Sequence, residues 1–494
     1  MRLACLAAAL AALAACRERP PAPPEQPLRV GLYVAPASLD PHERNEFVTF
    51  AVLSNLYEGL TALSPSLRVE PALAERWYNI DERTWRFRLR RGVVFHDGRP
   101  LTAADVAFSL QRARRLASSE FKSYLAAVES VREVAANEVE IVTQRPNAVL
   151  LARLAFVLIV PKDSPSPIRS PVGTGPYRAA EPVGNDPLRL TAFDRHWNGP
   201  PKQREVEMTV VGDGDRTRAL LEGRVDLLLE VAPEQVESIR GAGLRVVSSP
   251  GPSVDVLQMR VDQPPFRDPR VRRAVSLALD RKALVDRELL GHGAPAGQLV
   301  SRNVFGFAPS LEAPEPDVVA ARRLLTEAGY RAGLDVDLEF QRSLAVEGVV
   351  QQLSEAGFRV QPKPQRWHVL IDRLAKGQVR FAYLAVVSDS GESGDLFDST
   401  IHTVDAGRGY GDSNETGYSN PALDALIEAS GRTARLDERR RILQSCMRLV
   451  MQDLPLVPVF ERNLIWGVRP EVTFEPRADG RVLLRDLRRE PKAQ

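Results

Sequence analysis

The chain has 494 residues, 26% of them charged and 44% hydrophobic, with 66 basic and 64 acidic side chains for a net charge of +2. That length exceeds one hydrophobic core and predicts two or three domains, with the composition of an ordinary soluble globular protein. Near-neutrality without any block of like charge removes the electrostatic case for nucleic acid.

Arg2 precedes an apolar run over residues 3–15, shorter than the roughly 20 residues that span a bilayer but matched to a secretory h-region. The run closes on Leu13-Ala14-Ala15-Cys16, which resembles a bacterial lipobox; the Cys16 thiol is then the lipidation site, and the alternative is a plain signal peptide with an incidental cysteine. Residues 1–16 are read as the lipoprotein signal peptide. Residues 17–27 form a Pro-rich linker, extended by five prolines between 20 and 27. Cys5 and Cys16 being so assigned, Cys446 is left without a disulfide partner, and its helical apolar neighbours Leu443 and Val450 predict a buried structural thiol.

The body opens with a strand over 28–35. A helix is expected to carry Leu56-Tyr57-Glu58-Gly59-Leu60. Trp85, Phe87 and Leu89 then alternate with Arg86, Arg88 and Arg90, the mark of a half-buried antiparallel strand. Asp97-Gly98 marks a turn, and Thr102 with Asp105 forms a capping box for the next helix. His96-Asp97 therefore reads as turn chemistry and not as a metal pair, since no second ligand has the spacing of a metal site. Pro171-Val172-Gly173-Thr174-Gly175-Pro176-Tyr177 lacks the Gly-Lys-Ser/Thr of a phosphate loop and reads as a tight crossover.

From residue 206 strands and helices alternate, with strands at 206–211, 225–229, 244–247 and 254–257. Asp268-Pro269 starts a helix whose apolar stripe is Val271, Ala274, Val275, Ala278 and Leu279, with Arg270, Arg272, Arg273 and Ser276 on the other face. Asp280 caps a second helix, which Gly291 ends. Asp317 caps another. Strands at 334–340, 358–360 and 380–387 separated by helices predict a parallel β-α-β-α-β unit. Asn420-Pro421 opens a later helix.

Several of these runs together resemble the extracytoplasmic solute-binding proteins of family 5, which include oligopeptide-, dipeptide- and nickel-binding receptors of bacterial ABC importers. The resemblance rests on Pro264-Pro265-Phe266, Asp268-Pro269-Arg270-Val271-Arg272 and Ala278-Leu279-Asp280-Arg281, on the 84–106 and 171–177 runs, on Leu324-Leu325 through Gly329-Tyr330, and on Gly417-Tyr418-Ser419-Asn420-Pro421. It covers about residues 28–465 in the family's order.

The resemblance implies an α/β, periplasmic-binding-protein-like fold of type II, the large cluster with an extra domain: two wound lobes joined by a hinge. Residues 28–50, 171–258 and 463–488 would form lobe I, 51–170 the small extra domain, and 259–462 lobe II, with the joint near Leu257 to Arg260. It implies an extracytoplasmic, monomeric, lipid-anchored receptor that captures peptides and hands them to an ABC permease and its ATPase, with neither cofactor nor catalysis. A nickel, haem or other small-solute carrier is the alternative, as is a sensory receptor without a transporter; the six His residues show no paired spacing.

Ligands of open α/β sheets bind beyond the carboxyl ends of strands, which points to the segment 388–391. Peptide-binding members carry a Trp and an Asp there, and that Asp takes the ligand's α-ammonium. This segment has no Trp. Asp389 is the candidate, Asp395 the second choice and Ser388 a neighbour, against the reading of Asp389 as a solvated loop carboxylate. Arg260 stands where the family often has Asn after Met and is expected to alter the pocket.

Overall fold

A computed structural model describes residues 26–180, 186–342, 346–388, 390–433 and 435–490. The Cys16 and Asp389 assignments lie outside the described residues.

An eleven-stranded mixed sheet runs through the molecule. At its centre lie two long antiparallel strands, Arg245–Met259 and Leu456–Val468. On one side of the pair the strands Leu28–Leu32 and Glu205–Val210 run parallel, and Leu227–Leu228 connects them to Leu456–Val468. On the other side Phe381–Val387 pairs antiparallel with Arg245–Met259, and Leu334–Gln341 lies parallel to both Phe381–Val387 and Phe358–Gln365. The expected wound β-α-β-α-β unit is this second half.

The two short strands expected at 244–247 and 254–257 are one fifteen-residue strand. Pro250, Gly251 and Pro252 lie in its middle, where a strand would be expected to stop. They are accommodated by a register shift between Pro250 and Val254, because proline has no N–H to give to a ladder. Within the expected joint at Leu257 to Arg260, Leu257 and Gln258 pair with strands on both sides and Met259 pairs with Phe381.

Before the wound half, Ala74–Asn79, Thr84–Leu89, Glu138–Thr143 and Val128–Ala135 form a separate four-stranded antiparallel sheet. The alternation over Thr84–Leu89 holds: Trp85, Phe87 and Leu89 are buried. Helix Ala103–Arg115 packs on it. Its capping box is present, with the Asp105 carboxylate accepting from the Thr102 amide at 2.8 Å and from the Lys162 amide at 2.9 Å. The first helix ends at Leu53, so Leu56 to Leu60 lie beyond it, contrary to expectation. That turn passes under the crossover loop: a Cβ on Gly173 would stand 2.0 Å from the Leu56 carbonyl oxygen. Close backbone approach explains the glycine.

Both Asp caps before the helices Pro269–Leu277 and Arg281–Glu288 form. Arg272 and Ser276, expected on the outer face, are buried. The Arg272 guanidinium donates to the carbonyls of Asp453, Phe266 and Arg267. One apolar core lies under the second half of the sheet and includes Leu257, Val271, Leu338 and Phe381. A larger one runs from Leu28 through Phe87 to Leu423 and Cys446 of the helices Pro421–Arg432 and Leu436–Asp453. Cys446 is fully buried, which pushes its thiol up to about 12.

Two histidines are built into this scaffold as neutral rings. Arg112 donates to His42 Nδ1 at 2.9 Å, so His42 Nε2 carries the proton given to the Leu158 carbonyl at 2.7 Å. The Gly173 amide likewise donates to His96 Nδ1, and His96 Nε2 donates to the Gly175 carbonyl at 3.0 Å. Burial holds both rings down to about 4. Between that value and the unfolded value near 6.5 the unfolded chain binds the extra protons, so stability falls as pH is lowered through this window. Urea midpoints at pH 7.5 and 5.0 should therefore differ, and His96→Gln, weaker at pH 7.5, should lose less on acidification than the parent.

Candidate functional site

The carboxyl ends of strands from both halves converge on the middle of the long pair. The strand Phe381–Val387 ends opposite Ser253, and the Ser388 amide donates to the Pro252 carbonyl at 3.0 Å. From the other half, Leu227–Leu228 runs antiparallel to Gly467 and Val468, and the Val231 amide reaches the Ile465 carbonyl at 2.9 Å. Its chain, with Tyr33 after the parallel strand Leu28–Leu32, thus heads for Arg462 and Asn463. Residues 250–254 and 461–463, on which these strand ends converge, are the candidate floor of a binding cleft, at the place where open α/β sheets bind ligands.

Ser388 is buried, and its Oγ has no hydrogen-bond partner among the described residues. Val34 and Val387, at strand ends from the two halves, are 49% and 50% exposed, although a core would normally take them. Trp367 is 51% exposed two residues beyond Phe358–Gln365, and Arg342 follows Leu334–Gln341 without an ion pair among the described residues. Glu230 adopts φ 52°, rare for a residue with a side chain. Burial raises the Tyr33 hydroxyl far above its ordinary value, and the charge of Glu230 adds to this. The strand-end rule, applied to only one strand in the sequence, would have found Tyr33, Arg342 and Trp367. Nothing in the sequence marks Glu230.

The other candidates separate. Arg260 adjoins Arg380, at the far end of the strand pair from Ser388, roughly 26 Å away at about 3.3 Å per residue. It forks onto Asp262 at 2.8 and 3.1 Å, so it does not shape this cleft. Asp395 accepts from Arg153 at 2.8 and 2.5 Å, and the buried Arg145 pairs with Asp398 at 2.9 Å and lies 3.5 Å over the Tyr410 ring. Burial alone would lower the Arg153 guanidinium, but Asp395 and Asp398 hold it above its usual range. These pairs tie residues 145–153 to the segment 395–410. Near the cleft, a Cβ on Gly391 would come 2.6 Å from Leu67, so the Thr61–Leu63/Val69–Pro71 hairpin tip abuts the segment after Ser388.

Beneath the floor, fully buried Asp255 accepts from Arg462 at 2.9 and 2.7 Å and from the Tyr383 hydroxyl at 2.6 Å. Burial, then the Asp255 charge, raises the Tyr383 hydroxyl well above its ordinary value. Among the described residues no three His, Cys, Asp or Glu side chains are grouped to hold a metal ion, and no helix is long and apolar enough to cross a membrane.

The description of bacterial extracellular solute-binding proteins, family 5 Middle, matches residues 68–407, more than half of the chain. The chain belongs to this family. It is 26% identical over 461 residues to the glutathione-binding protein GsiB of Escherichia coli K12, covering 87% of each chain. The fold matches HbpA2 of Haemophilus parasuis (TM-score 0.82, 21% identity, 94% of this chain and 100% of that one). It also matches the periplasmic binding protein DppA of Helicobacter pylori in complex with the peptide STSA (TM-score 0.80, 20% identity, 94% and 98%). Two lobes of mixed α/β structure are the architecture of this fold.

Truncating Asp255→Ala should cost about 3 kcal/mol in urea unfolding, the low end for a buried pair because Arg462 keeps 32% of its side chain in solvent. Asp255→Leu combined with Arg462→Met should recover part of that loss, since no buried charge is then left alone.

Proposed function

We propose that the chain is a lipid-anchored receptor that captures peptides in the cleft over residues 250–254 and 461–463 and presents them to an ABC permease and its ATPase. The observation that carries this reading is the convergence of strand ends from both halves on one floor, in a member of a solute-binding family. The relative named for glutathione, itself a tripeptide, and the structural neighbour holding the peptide STSA support a peptide as cargo. So does the cleft's chemistry: exposed Val34, Val387 and Trp367 suit apolar side chains, while Arg342 offers a fork to a carboxylate. We read the chain as a monomeric binding protein without cofactor or catalytic chemistry.

The lobes are 28–50, 171–258 and 463–488 against 259–462, with 51–170 as the extra domain. We read the register shift between Pro250 and Val254, with its neighbours Glu461 to Asn463, as the pivot, so that residues 254–258 would move with 259–462. A ligand closes such a pair by binding the closed state more tightly.

Asp389, next in sequence to Ser388, is the proposed partner of the ligand's ammonium; Asp395 is occupied by Arg153. A charge-assisted hydrogen bond is worth about 1.5–3 kcal/mol, so Asp389→Asn should weaken a free-amine peptide about ten- to a hundredfold in calorimetric titration. An amino-acetylated peptide should bind both proteins alike. Equal losses for the two peptides would give Asp389 a structural role instead. For the anchor, Cys16→Ser should move the protein from the membrane to the soluble fraction, and its retention on membranes would remove the lipid from the proposal.

A further inference from the structure

A cavity of about 800 Å³ lies apart from the cleft, between the turn after Phe47–Leu53, the Thr61–Leu63/Val69–Pro71 hairpin and the stretch 473–488. That volume is within the range of small-molecule sites. On its wall, Arg477 and Arg481 both grip the Asp479 carboxylate: Arg477 at 3.0 and 2.8 Å, Arg481 at 2.9 and 2.6 Å. All three are buried. Asp479 alone cannot neutralise two guanidinium groups, and Asp486, also on the lining and within electrostatic reach of Arg477, offsets only part of the remainder, which a bound anion would complete. Arg481 also lies 5.2 and 5.4 Å over the rings of Phe50 and Phe156, which fixes its plane.

At the rim, exposed Lys202 has no ion pair among the described residues, and Arg485 reaches Asp486 only at 3.9 Å. The lining also holds Glu58, Glu70 and Glu475. Glu58 is engaged by Thr174, His196 and Trp197, and the other two are exposed. Tyr57, Leu63, Leu158 and Leu483 supply apolar surface. The chain's amino-terminal side enters beside this rim: Gln26 is held by Gln203 and Arg489, next to Lys202 and Arg488.

We propose that this cavity is a second binding site, separate from the cleft, for an organic phosphate with an apolar body. Lys202 and Arg485 at the rim, with the guanidinium edges of Arg477 and Arg481 that Asp479 does not occupy, supply the donors that three phosphate oxygens accept. The phosphate is either a lipid head group or a soluble ester, and position favours neither by itself. The site touches the cleft through one hairpin: Arg477 donates to the carbonyls of Leu63 and Ser64, and the tip of that hairpin abuts Gly391.

The test uses the full chain carrying Cys16→Ser, with glycerol phosphate titrated by calorimetry and vesicles of phosphatidylglycerol or phosphatidylcholine in sedimentation. Binding of glycerol phosphate supports a soluble ester, and sedimentation with phosphatidylglycerol alone supports a lipid head group. In either case the rim variant Lys202→Glu with Arg485→Glu should weaken binding at least tenfold, with its urea midpoint and affinity for a cleft peptide unchanged. Absence of binding to every probe at millimolar phosphate, or equal binding by the rim variant, would overturn the site. Failure of the peptide reading would leave this result untouched, since the phosphate probes do not require the cleft.

Discussion

Three neighbouring strands of the central sheet meet at one buried carboxylate. Asp255 stands on Arg245–Met259, Arg462 on Leu456–Val468 and Tyr383 on Phe381–Val387, all joined by bonds of 2.6–2.9 Å. The trio sits beside two register shifts, one between Pro250 and Val254 and the other between Asp255 and Val256. Ladder bonds are least regular there, so side chains fix what the backbone leaves loose. A charged group away from water is a weak source of net stability but a strict one of geometry, because no shifted register satisfies all three partners. The candidate cleft floor inherits its shape from that constraint.

Arginine elsewhere does the work of short polar staples. Arg281 is buried with donors to the carbonyls of Pro458, Ser276 and Leu279, and burial brings it down to about 10. Arg439 takes the Glu392 carboxylate in a fork at 2.8 and 2.6 Å, fastening the segment after Ser388 to helix Leu436–Asp453. Five donors in a plane let one guanidinium satisfy several carbonyls that helix ends and bends leave open. Glu392 is thereby fastened to a long helix.

Periodicity and capping made most of the second half legible. Asp268, Asp280, Asp317 and Asn420 all cap the helices they were expected to start. The parallel order of three strands followed from the helices between them. Two things were hidden for physical reasons. Pro250-Gly251-Pro252 reads as a break because local propensity says nothing of partners on both sides, which hold the strand through it. Arg272 reads as a surface residue because a charge normally faces water, and only the fold brings three carbonyls around it. Ser388 lies at the strand end where the rule looks, whereas Arg260 lies at the opposite end of the same strand pair, because hydropathy gives a strand's existence but not the direction of its ends.

The contacts beside the cleft set the scale of any closing motion. In the proposed two-lobe motion, the contacts of Arg145 with Asp398, Arg153 with Asp395 and Leu67 with Gly391 join the two sides. Desolvation offsets most of the Coulomb attraction in such buried pairs, so each adds orientation more than net free energy. A ligand of micromolar affinity supplies about 8 kcal/mol in all, and moving the equilibrium from 1:99 to 99:1 requires about 5.5 kcal/mol of that to be specific to the closed state. Both quantities are of the same order only if the partners across the cleft add little by themselves. A strongly favourable salt-bridge network would hold the lobes shut without cargo, whereas paired but desolvated charges leave the decision to the ligand.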